Sequence, residues 1–186
     1  MSNQLAAFNA LLDLAQKSKR SAKGLPSQIE TVQQWSGIGF NVLDRYFVAP
    51  MGEISELLEL PSYTKLPGVQ PWVLGVANVR GRLLPLFDLA VFLGGRLNSA
   101  RKKHRVLVLE ANGLYSGVVV DAALGMQHFP IDSYSNEIKE LPESVRAFVE
   151  GSYSQNRGAV GSDDEQWFVF SPSKLAEEPS FVNAAS

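Results

Sequence analysis

The chain has 186 residues, enough for one domain or two closely joined small ones. At 45% hydrophobic and 10% aromatic it can bury a proper core, which excludes global disorder. A formal net charge of -2 argues against a phosphate-dominated nucleic-acid binder, and the absence of cysteine removes disulfides, thiolate chemistry and thiolate zinc sites.

In chain order, Leu5, Phe8, Leu12 and Ala15 come first, spaced three or four apart with Leu11 alongside. That is one helical stripe, and it predicts an amphipathic helix over residues 3 to about 18. The basic "KSKRSAKGLP" at 17–26 reads as a linker, so residues 1–34 form a helical preface. With no basic start, and with Asp13 interrupting a short apolar run, the first twenty residues do not read as a secretory signal. No window approaches the roughly 20 apolar residues of a membrane helix. A cytoplasmic protein with no direct membrane insertion is the expectation.

From Trp35 the texture is β. "WSGIGFNV" and "RYFVAP" flank the turn signal "LDR", and "RVLVLEANGLYSGVVVD" is a hairpin whose Asn112-Gly113 supplies the positive φ angles of a tight type I′ turn. "GMQHFP", "VRAFVEG" and "QWFVF" add strands, for about ten in all, a spacing that favours barrels or a sandwich. "RVLVLE" and "GVVVD" are apolar at consecutive positions and must be covered on both faces. With no long helices after residue 35 to do this, a second β layer is needed, and two packed barrels satisfy it. Short helices are predicted at "DLAVFLGG", capped by Asp88 and stopped at Gly94 or Gly95, and at "SPSKLAEE". Residues 152–166 read as a long mobile hairpin loop, and 179–186 as a flexible C-terminal tail.

Catalytic constellations are missing. There is no G-x-S-x-G elbow, and His104 and His128 have no second metal-ligand type at a helpful spacing. "GGRLNSARKKHR" at 94–105 lacks the Walker pattern and reads as a solvated loop. Glu56 and Glu59 flank leucines and have no acid/base companion. No catalytic residue, metal site or cofactor is assigned; a binding function is the remainder.

The segment "PWVLGVANVRGRLLPLFDL" carries that function. Its first strand ends near Asn78, Val79-Arg80-Gly81-Arg82 makes a corner, and Pro85 suggests an edge or strongly bent second strand. Gly75 and Gly81 leave room for another backbone or side chain. Arg80 is presented from a stiff element, suited to a forked pairing with a carboxylate or with carbonyl groups. Arg82 reads as structural.

The run Gly75 to Leu89 resembles the signature of the CheW chemotaxis coupling family, "G-V-x-N-x-R-G-x-x-x-P-x-x-D-L", at every fixed position. "EISELLELPSYTKLPGVQPW", "YSGVVVDAALGM", "FVEG" and "QWFVFSPSKL" extend the resemblance to about residues 36–176. "TVQQWSGIGF" and "RYFVAPMGEISELL", with the helical preface, resemble the branch of the family that serves the type IV pilus (twitching) chemosensory pathway. The resemblance implies an all-β fold of two intertwined five-stranded SH3-like β-barrels in residues 35–178, with no enzymatic activity. It implies an adaptor between a methyl-accepting chemoreceptor tip and a CheA-type histidine kinase, with other CheW-like proteins as further partners in a receptor array. The receptor-binding groove maps onto Met51, Gly75 and Arg80, with Asn78 beside them; Glu53 and Arg80 correspond to an ion pair near it, and Gly81 completes the turn. No kinase-contact residue is assigned. Two rivals stay open: a ligand-binding or enzymatic barrel with its site in the inter-barrel cleft, and a nucleic-acid-binding SH3-like barrel, which the net charge disfavours.

Overall fold

The computed structural model describes Lys17 and residues 33–111, 113–138, 141–155 and 165–184. The chain divides into two units, Met1–Gln33 and Gln34–Ser186. The helix expected over residues 3–18 lies outside the described residues except for Lys17, which is helical and exposed. Among the described residues no helix is long and apolar enough to cross a membrane.

The second unit holds eleven strands among the described residues: β1 (Gln34–Val42), β2 (Arg45–Pro50), β3 (Ile54–Glu59), β4 (Val73–Val79), β5 (Arg82–Asp88), β6 (Arg105–Ala111), β7 (Leu114–Val120), β8 (Ala122–Pro130), β9 (Tyr134–Ser135), β10 (Val149–Gln155) and β11 (Glu165–Phe170). They form a six-stranded sheet in the order β8-β1-β2-β11-β10-β9 and a five-stranded sheet in the order β3-β6-β7-β5-β4. The five-stranded sheet is thus inserted in sequence between β2 and β8 of the other. The sixth strand of the larger sheet, β9, is only two residues long.

Both sheets are rolled up. A 3-10 turn, Ile131–Ser133, carries the chain straight from β8 to β9, joining the two edges of the larger sheet. In the smaller sheet Arg80, between β4 and β5, pairs with Glu56 on β3. On a flat sheet β3 and β5 would lie three strand spacings, roughly 14 Å, apart. An ion pair across that span requires curvature.

The core explains why β6 and β7 carry unbroken apolar runs. Val106, Val108 and Val119 face the interior of the smaller barrel with Ala77, Leu84 and Leu86. Their neighbours Leu107, Leu109, Val118 and Val120 face the opposite way, onto Phe40, Phe47, Phe168 and Phe170 of the larger sheet. The larger barrel encloses its own cluster of Val48, Phe129, Tyr153, Trp167 and Val169. Among the described residues the shared layer holds 19 buried apolar residues against six and five inside the barrels, so the two sheets stabilise one another.

Local signals place several elements where the sequence predicts them. Asp88 caps the helix Leu89–Phe92, its Oδ1 accepting from Val91 N at 3.0 Å. Ser171 caps the helix Pro172–Glu177. The pairing of Ala111 with Leu114 leaves a two-residue turn with Gly113 at φ 78°; Asn112 lies outside the described residues.

Four expectations need correction. Residues 179–184 are no free tail: Pro179–Val182 is a helix whose Phe181 is fully buried against Phe87 and Phe92, and Gln70 N donates to Ala184 O at 3.0 Å. Residues 152–155 continue β10 rather than opening a loop, and 156–164 lie outside the described residues. "VRAFVEG" begins as the last turn of the helix Glu143–Arg146 before it becomes strand. Finally, of the two settings expected for Pro85, an edge or a strongly bent strand, the edge is ruled out, because β5 is internal to its sheet. The partner of Pro85, Val76, commits both backbone groups to Thr64 at 2.9 Å each, and pairing of β5 with β7 starts only at Leu86, so the missing N–H is not called upon.

Candidate docking site around Arg80

The turn between β4 and β5 consists of Arg80 at φ 52° and Gly81 at φ 82°, the two positive angles of a type I′ hairpin. Gly81 takes its angle freely; for Arg80 the left-handed conformation costs about 1–2 kcal/mol. Asn78 supports the turn, its Oδ1 accepting from Gly81 N at 2.8 Å. The hairpin therefore holds Arg80 outward, and its side chain is 75% exposed.

Arg80 Nη1 donates to Glu56 Oε1, and not to Glu53. Glu53 is engaged elsewhere: its Oε2 accepts from Ser173 N at 2.8 Å and from Ser173 Oγ at 2.7 Å. That ties the 3-10 turn Met51–Glu53 to the helix Pro172–Glu177. The exchange has a local cause. A bulge between Ile54 and Glu56 shifts the register of β3, so Glu56 turns partly inward, at 31% exposure, while Leu57 turns outward. The second carboxylate oxygen of Glu56 is buried without a hydrogen-bond partner.

Glu56 also lines a small depression of about 130 Å³ with Met51, Ile38, Ile54, Ser55 and Leu57. Met51 is 46% exposed, and Leu83, opposite Asn78 on the Arg80 hairpin, is 69% exposed. The structure thus brings Met51, Glu56 and Arg80 into one neighbourhood, a single-contact ion pair beside adaptable apolar groups. The depression is smaller than the roughly 300–1,000 Å³ of a small-molecule pocket. Its chemistry is that of a surface contact.

Gly75 does not floor this groove. It is buried at φ 140°, and a Cβ there would come within 2.1 Å of Thr64 O. Thr64 bridges to Val76 and covers the glycine, so Gly75 serves the close approach of two backbone segments. Arg82 lies with its guanidinium 3.9 Å over the Tyr115 ring, the structural role expected of it.

Both histidines are engaged in hydrogen bonds. His104 Nε2 donates to Ser99 O at 2.9 Å, and the exposed His128 Nδ1 is 2.7 Å from Ser36 Oγ. Among the described residues no group of three or more His, Asp and Glu stands where it could hold a metal ion. Sequence reasoning missed Glu56 and Leu57 as site residues; only the bulge, invisible in a stretch reading "ISELLE", orients them.

The family model described as "CheW-like domain" matches residues 36–180. The chain is 47% identical over 185 residues to Protein PilI of Pseudomonas aeruginosa, covering all of this chain and 99% of that protein. It is 31% identical to the chemotaxis protein CheW of Helicobacter pylori over 113 residues, 61% of this chain and 68% of that one. Among solved structures, the scaffolding protein TtCheW from Thermoanaerobacter tengcongensis matches in fold with a TM-score of 0.64 at 22% identity, covering 79% of this chain and 95% of that one. The two nested sheets, the Asn78-Val79-Arg80-Gly81 hairpin and this family match agree: the chain belongs to the CheW-like domain family.

Proposed function

We propose that this chain is a non-enzymatic adaptor that couples the cytoplasmic tip of a methyl-accepting chemoreceptor to a CheA-type histidine kinase, in a chemosensory pathway controlling type IV pilus twitching motility. The pathway follows from the full-length similarity to PilI. The observation that carries the receptor reading is the Arg80 hairpin: a guanidinium held outward by a rigid two-residue turn, paired through one nitrogen with Glu56 and set beside Met51. A helical receptor tip lays its apolar face on Met51 and Leu57, and Arg80 sets its register. The adaptor works at the cytoplasmic face of the inner membrane, inside receptor arrays, without entering the bilayer.

The test is co-purification with tagged full-length chain. Arg80→Ala is expected to lose the methyl-accepting receptors while retaining the kinase. Loss of neither partner, or of both together, would overturn a receptor-specific role for Arg80.

A further inference from the structure

Five of the chain's 17 Lys and Arg residues fall between positions 96 and 105, with no carboxylate among those ten residues. In the structure this is no loose loop. Asn98 N and Ser99 N both donate to Asp121 Oδ1 at 2.7 Å, and Ser99 Oγ donates to Asp121 O at 2.8 Å. His104 Nε2 grips Ser99 O, and Arg105 Nη1 donates to Lys102 O and His104 O at 3.1 and 2.9 Å. The 3-10 turn Arg101–Lys103 is thereby pinned at both ends. Arg101, Lys102 and Lys103 are exposed, and among the described residues none of them pairs with a carboxylate.

Three recesses meet around this turn. The innermost, about 160 Å³, is walled by Leu60, Leu74, Leu97 and Val119, with Tyr63 beneath the Arg101 guanidinium; Asp88, whose Oδ1 is engaged by Val91 N, and His104 line it as well. It shares Leu60, Arg101 and His104 with a second recess of about 470 Å³ that also holds Glu59 and Lys102. Lys102 in turn borders a third, about 380 Å³, between Lys103, Arg105 and the small Ala122 and Ala123. The result is a channel whose inner end is mainly apolar, with Asp88 and His104 as its polar lining, and whose rim is cationic.

We propose that this channel is a second docking site, for an acidic protein segment that inserts one aliphatic side chain between Leu60, Leu74, Leu97 and Val119 and lays flanking carboxylates on Arg101, Lys102 and Lys103. Three observations support that occupant. The rim carries unpaired cations on a preorganised frame, which lowers the ordering cost of binding. A carboxylate already fits the surface, for Glu59 reaches Arg105 at 3.7 Å. The inner recess is close to the ~150 Å³ that holds a benzene-sized group, the scale of a single apolar side chain. A planar anionic membrane would meet the cations but could not enter the recess. The site lies where β3 ends and does not depend on the receptor reading of Arg80.

The probe is an acetylated heptapeptide of glutamates with one central leucine, titrated into the full-length ¹⁵N-labelled chain and followed by amide chemical shifts. Shifts are expected at residues 60–63, 98–105 and 119–123. Replacing the leucine by serine, or making Lys102→Glu with Lys103→Glu, should each weaken binding about tenfold, which corresponds to about 1.4 kcal/mol. The double variant must keep the wild-type amide pattern elsewhere, as expected for two exposed lysines. Absence of shifts, shifts centred elsewhere, or equal binding of the serine peptide would overturn the proposal. So would phosphatidylserine vesicles binding through Lys102 and Lys103 while the peptide does not bind.

Discussion

Arg80 and Glu53 illustrate how far a single contact depends on its surroundings. The Arg80–Glu56 pair is largely solvated on the arginine side, and such pairs contribute about 0–1 kcal/mol. Glu53 accepts two hydrogen bonds from Ser173, and removing it leaves a backbone N–H in a partly buried place, a loss of about 1–3 kcal/mol. Urea unfolding should therefore show Glu53→Ala clearly less stable than Arg80→Ala. The reverse order would mean that the guanidinium, not Glu53, holds the fold. The carboxylate that the resemblance pairs with Arg80 is thus a structural staple, and its neighbour three residues on forms the ion pair instead.

At the scale of elements, the helix Leu89–Phe92 has one turn and depends on its cap. Burial pushes the Asp88 carboxyl above its ordinary value of 3.8, against the opposing effects of the Val91 and Ala90 N–H groups and of His104; Asp121 adds to the rise. The folded state therefore holds this proton more tightly than the unfolded chain does. Stability from Asp88 is greatest below 3.8 and falls as pH rises through the higher folded value. Asp88→Asn keeps an N-cap acceptor and removes the titration. The stability of wild type relative to Asp88→Asn, measured by chemical denaturation, should decrease between pH 3 and neutrality; an increase would contradict the burial-dominated reading. The same scale holds the two hairpin turns of the smaller barrel. Arg80-Gly81 and the turn containing Gly113 both needed positive φ, and both carry a glycine at the second position.

For the whole molecule, the layer between the sheets decides stability. Phe181 belongs to it although only five residues follow it in the sequence. Its ring centroid lies 4.7 Å from Phe87 and 5.0 Å from Phe92, and no part of it is exposed. Phe181→Ala should cost about 3–5 kcal/mol, read as a lowered urea midpoint with an unchanged slope. An effect below about 1 kcal/mol, the range of an ordinary surface change, would return this helix to the status of a tail. Because the shared layer draws on both sheets, that loss should appear equally in probes of either barrel.

Unbroken apolar runs, the turn glycine Gly113, helix caps at Asp88 and Ser171, and the Gly75–Leu89 motif were legible because each is written in neighbouring residues. From them the β class, the double layer and the family follow. Tertiary structure alone decided that Gly75 lies beneath Thr64, that Glu53 meets Ser173 120 positions away, that the Ser55 bulge turns Glu56 toward Arg80, and that Phe181 closes the shared core. Those outcomes depend on which distant surfaces meet once the sheets curl, and side-chain periodicity along a strand carries no record of what will face it.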